Sequence, residues 1–136
     1  SGTELLFYDE PEKQKVTLTL PSGTVLTIDD ENQAVSLKDQ KGENALEMDL
    51  KGGNVTLKAK TKLTLSAGET SVLLESSGNL TQKASSKVSI EAATIEEKGS
   101  AQVTIQGAAT EVKGDSTLNL QASGTAALKA GIVNIN

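Results

Sequence analysis

Residues 103–122 read VTIQGAATEVKGDSTLNLQA, and three consecutive units are visible in them. Each opens on a leading position (Val103, Thr110, Leu118), places an aliphatic two residues later (Ile105, Val112, Leu120) and a small residue two residues after that (Gly107, Gly114, Ala122). Residues one, three and five of a strand face the same way. Two side chains of each unit therefore fill an interior, and the third must be small because the backbone turns a corner there. Outward from this stretch the pattern runs on in both directions. Leading positions fall at Val55, Leu63, Val72, Leu80, Val88, Ile95, Val103, Thr110, Leu118, Ala126 and Val133. Second positions fall at Leu57, Leu65, Leu74, Gln82, Ile90, Glu97, Ile105, Val112, Leu120, Leu128 and Ile135. The small column holds Ala59, Ala67, Ser76, Ala84, Ala92, Gly99, Gly107, Gly114, Ala122 and Ala130. A fixed period outranks other signals in reading a fold. It predicts an all-β chain in which residues 55–136 form a β-helix of three-sided cross-section.

Composition points the same way. Among 136 residues there is one Phe (Phe7), one Tyr (Tyr8) and no Trp, His, Cys or Arg. Aromatics supply much of the buried area of a compact core, so a narrow interior lined by Val, Leu, Ile and Ala is the easier solution. A single-chain solenoid needs caps and several stacked turns, and ten units give only about three turns. Three chains wound together solve this, each contributing a strand to every layer. With strands stacked about 4.8 Å apart, the expected product is an intertwined homotrimeric β-prism needle with a repeat segment of roughly 50 Å. Its expected trimer core is Val55, Leu57, Leu63, Leu65, Val72, Leu74, Val88, Ile90, Val103, Ile105, Leu118, Leu120 and Leu128.

Before the repeats, residues 4–54 alternate apolar and polar side chains in short runs, the strand period. Candidate strands are Lys15–Leu20, Thr24–Asp29, Ala34–Lys38 and Ala45–Lys51, separated by turn signals such as Pro21-Ser22-Gly23 and Gly52-Gly53-Asn54. The expected form is a β-hairpin meander. Ser1-Gly2 reads as the scar of tag removal, with 1–3 disordered. Eleven acids against five lysines give residues 1–54 a net charge of −6, and seven acids against eight lysines give 55–136 a charge of +1. No basic patch with interleaved aromatics is present, which argues against nucleic acid. Apolar runs are too short for a membrane span.

Without His or Cys, Ser and Cys triads and imidazole metal sites are excluded. The chain is therefore expected to be no enzyme and to hold no cofactor. Asp29-Asp30-Glu31 reads as a solvated turn rather than a calcium loop, because the acids lack loop-ligand spacing. Gln82 and Glu97 stand where aliphatics belong. Two readings are open for Glu97: local slippage, with Ile95 taking the inner role and Glu97 at a corner, or a polar layer on the trimer axis. In the second reading three copies of Glu97, or of Gln82, converge on water or an ion. A last layer exposing Ile132, Val133 and Ile135 leaves unpaired backbone and apolar side chains, which invite a partner. Ala130, Gly131, Ile132, Val133, Asn134, Ile135 and Asn136 are the expected docking surface.

The stretch 16–68 resembles the spike proteins of contractile injection systems. These include the valine-glycine repeat proteins (VgrG) of type VI secretion, phage baseplate spikes and the spikes of extracellular injection particles. The resemblance rests on Leu20-Pro21-Ser22-Gly23, Asp29-Asp30 and Asn54–Ala59 in that order, and on the ending from Lys129 to Asn136. It implies a membrane-piercing trimer on the axis of a baseplate, joined to a hub and tube by preceding sequence absent here. It also implies a conical tip protein of the proline-alanine-alanine-arginine (PAAR) type at the C-terminal end. Assembly in the cytoplasm, followed by delivery across the target envelope in a secreted particle, virion tail or secretion apparatus, would follow. The alternatives are a trimeric fibre or adhesin stalk, a polysaccharide-degrading phage tail fibre, and a monomeric solenoid.

Overall fold

The computed structural model describes residues 2–11 and 13–135. The expectations for Ser1 and for Asn136 lie outside the described residues. The fold is all-β, with nine strands in two antiparallel sheets and no helix among the described residues. The chain divides into two compact units, Ser1–Ile90 and Glu91–Asn136.

The first sheet is a six-stranded meander of β1 (Glu4–Tyr8), β2 (Lys15–Thr19), β3 (Val25–Asp29), β4 (Ala34–Lys38), β5 (Ala45–Asp49) and β6 (Asn54–Lys58), paired in chain order. Strands β2 to β5 fall where the alternation puts them, each within two residues at its ends. Two features differ from the expectation. Glu4–Tyr8 forms a strand, although its run of Leu5, Leu6, Phe7 and Tyr8 shows no alternation. The meander also runs past residue 54, because Val55 and Leu57 pair with Met48 and Leu46.

The second sheet joins β7 (Lys62–Ala67), β8 (Thr70–Glu75) and β9 (Leu80–Lys83) in order. Here the first repeat units reverse as hairpins, where a one-way coil was expected from Val55. The turns explain the reversal. Gly68 lies at φ 55° as the first residue of the two-residue loop between Ala67 and Thr70, the II′ pattern that suits hairpin twist. Around Gly78 (φ 90°), the Glu75 N–H donates to the Asn79 carbonyl and the Gly78 N–H to the Glu75 carbonyl. Gly23 (φ 80°) repeats that arrangement, with the Leu20 N–H on the Thr24 carbonyl and the Gly23 N–H on the Leu20 carbonyl. Both are three-residue hairpin loops closed by a left-handed glycine.

Only Ala59, Lys60 and Thr61 separate β6 from β7, yet no ladder joins the two strands. The chain bends at Lys60 and Thr61. The Lys60 N–H donates to Asn44 Oδ1 (3.0 Å) and Lys60 Nζ reaches Glu43 Oε2 (2.9 Å), which holds the bend against the β4–β5 loop.

From Ala84 to Ile135 the described residues contain no strand, no helix and no backbone–backbone hydrogen bond. The segment is nevertheless regular. Bends fall at 85–86, 93, 100–101, 108–109, 115–116, 123–124 and 131. Each comes directly after one of the small residues Ala84, Ala92, Gly99, Gly107, Gly114, Ala122 and Ala130. The corner at Gly114 has no space to spare: a Cβ there would stand 2.6 Å from the Thr117 carbonyl oxygen.

Candidate interaction surfaces

The register of the six-stranded sheet sorts its side chains onto two unlike faces. One face carries two unbroken apolar rows. Leu5, Leu18, Leu26, Leu37, Leu46 and Leu57 are paired one to the next across all six strands. Phe7, Val16, Ile28, Val35, Met48 and Val55 form the second row in the same way. The other face runs through Thr17, Thr27, Ser36, Glu47 and Thr56, with Lys38 and Glu47 paired across β4 and β5. Within the first unit the two rows are exposed or at most half-buried. Phe7 is 71% exposed and Val55 64%, and no described residue of either unit is buried.

A contiguous apolar face with no buried residue is characteristic of an interaction surface. The expected core list named only Val55 and Leu57 from this face. The other ten residues were missed as a surface, although the alternation in β2 to β5 carries them.

The three-stranded sheet continues the division. Leu63 pairs with Leu74, Leu65 with Val72, Leu74 with Leu80 and Val72 with Gln82. The expected core residues Leu63, Leu65, Val72 and Leu74 thus share one face, and Gln82 is the polar member of it. Beyond Lys83, the expected core residues Val88, Ile90, Val103, Ile105, Leu118, Leu120 and Leu128 are all exposed. Glu97 precedes the small residue Gly99 by two, as Ile90 precedes Ala92 and Ile105 precedes Gly107. The bend falls at 100–101, directly after Gly99. At the C-terminal end Ala130, Gly131, Ile132, Val133, Asn134 and Ile135 are exposed, Ile135 by 86%.

Acidic residues clip the hairpin ends. Asp29 accepts from the Asn32 backbone N–H (3.0 Å) and side-chain amide (3.1 Å). Asp39 accepts from the Glu43 and Asn44 backbone N–H groups and from the Asn44 amide (2.6 Å). Asp49 accepts from the Gly52 N–H (2.7 Å) and the Asn54 amide. These turns satisfy backbone donors that no ladder reaches. Among the described residues no group of acids is placed to hold a metal ion.

The hydrogen bonds lower all three carboxyl pKa values from 3.8, chiefly through the Asn32 N–H at Asp29, the Asn44 amide at Asp39 and the Gly52 N–H at Asp49. A lowered native value means the unfolded state binds protons first as the pH drops. The stability these clips supply is complete above pH 3.8 and drains away as the pH falls below it, through the lowered native values. Urea melts across the acid range should show this slope. The Asp29→Asn/Asp39→Asn/Asp49→Asn variant should be weaker at neutral pH and should lose that slope.

No family model matches the chain, and no curated protein matches it.

Proposed function

We propose that this chain is the membrane-piercing spike segment of a contractile injection machine, working as an intertwined homotrimer without enzymatic activity. The observation that carries the reading is the lack of burial among the described residues: apolar rows in register on one sheet face, and a regularly bent segment with no backbone partners of its own among them. Buried backbone groups must be paired, and apolar faces of this size mark interfaces. Three copies packed with their apolar rows inward would supply two side chains per chain to each layer along both sheets, apolar everywhere except at Gln82. In the bent segment, neighbouring copies would supply the missing hydrogen bonds.

A single-chain solenoid would need ladders between units about three apart in the same chain, and none occurs among the described residues from 84 on. A fibre that binds glycans would want an aromatic shelf, and the only aromatics are Phe7 and Tyr8. The resemblance to injection spikes chooses three copies over two, and it adds the hub before the meander and the conical PAAR-type tip protein after it. Interlocked chains resist unravelling because none can leave without unwinding from the others, which suits a needle driven by force from outside.

The tip provides the test. An assembled spike should bind a purified PAAR-type tip protein in a pull-down, and the variant lacking residues 130–136 should retain its mass and lose that binding. Binding that survives the deletion would contradict the docking assignment; failure of the intact chain to bind any such tip protein would contradict the spike reading.

A further inference from the structure

We propose that β6 of one copy is completed by β7 of a neighbouring copy, in parallel, with Val55 beside Leu63 and Leu57 beside Leu65. The inference rests on the self-association reading above and names a seam that reading leaves open.

Both strands offer an unpaired edge. In the sheet order β6 is the last strand of the meander and β7 the first of the second sheet. They are alike in length, Asn54–Lys58 and Lys62–Ala67. A link of three residues could have closed them into one hairpin, but the Lys60 contacts with Asn44 and Glu43 fix a bend there. The chain therefore leaves its own sheet at Lys60. In an intertwined assembly it would run on in the same rotational sense and meet β6 of the adjacent copy on the next side. Two strands that travel in one sense around a common axis are parallel.

The side chains favour this orientation. Lined up in parallel, the apolar pairs continue one another, and Thr56 falls beside Thr64, a favourable cross-strand pair. Lys58 then lies beside Ser66 and Lys62 beside Asn54. Reversed, the same apolar match would set Lys58 directly against Lys62, and like charges opposite each other destabilise a sheet. An exposed edge such as β6 is a liability unless it is covered, and this seam covers it with the copy whose apolar rows already face the same interior.

The chain has no cysteine of its own, so disulfide mapping is clean. Lys58→Cys chains mixed with Ser66→Cys chains, unfolded together and refolded, should give a disulfide-linked pair between unlike chains under mild oxidation. Lys58→Cys mixed with Lys62→Cys should give none, because in a parallel seam those positions stand about 13 Å apart, beyond disulfide reach. Efficient linkage of the second mixture would overturn the parallel seam. No linkage in either mixture, with the assembled mass intact, would overturn the seam and spare the assembly. A single-chain mass for the unsubstituted protein would overturn both. Thr56→Cys with Thr64→Cys is the second probe, at exposed positions that tolerate change, and its failure in assembled protein would also count against the seam.

Discussion

Leu26→Asp should abolish assembly, while Thr27→Asp one residue away should leave it intact. Leu26 stands mid-row on the apolar face, flanked in register by Leu18 and Leu37. Thr27 stands on the opposite face between Thr17 and Ser36. In the isolated chain both positions are only half-buried, so neither change should greatly disturb a lone meander. In the proposed assembly the two would become unlike. An uncompensated carboxylate forced into an apolar interface costs about 3–5 kcal/mol per chain, and the cost recurs in every copy. Size-exclusion chromatography with light scattering at micromolar concentration should find the Leu26→Asp protein as a single chain. The Thr27→Asp protein should elute with the unsubstituted one. Equal behaviour of the two variants would mean that the apolar rows are not the contact surface.

The second large effect concerns the segment after Lys83. Among the described residues its amides have no backbone acceptors within the chain. A chain on its own should exchange them for deuterium at nearly the rate of an unstructured peptide. Paired with neighbours in the assembly, they should exchange at least a thousandfold more slowly, since opening them requires unwinding the copies. Mass spectrometry of peptides from 84–135 reads this directly, with the β2 to β5 amides as an internal standard. Those amides are laddered within the chain and should be protected in either state. A protected meander followed by an unprotected segment would contradict the intertwined account.

How much was legible depended on which partner each element uses. The alternation in Val16, Leu18, Leu26 and Ile28 announces strands because one face of each must be dry. The small residues at Ala92, Gly99 and Gly114 announce corners because the backbone closes on itself there. Strand β1 escaped because Leu5 to Tyr8 reads as a run, and only its pairing with β2 assigns its faces. Val55 and Leu57 satisfy the meander's alternation and the repeat's phase equally, and only their pairing with Met48 and Leu46 joins them to the first sheet. Leu63 to Gln82 carries the repeat faithfully, and its period is silent about whether the chain bends on or reverses. Gly68 and Gly78 decide that, since positive φ permits a full reversal. The repeat's phase placed Glu97 and Gln82 among the aliphatics, and Gln82 does share the face of Leu65 and Val72 in the second sheet.

If the chain is one third of a folded unit, light scattering after size exclusion should give the unsubstituted protein a mass of three times 14.1 kDa, about 42 kDa, independent of dilution through the micromolar range. A mass near 14.1 kDa would contradict it.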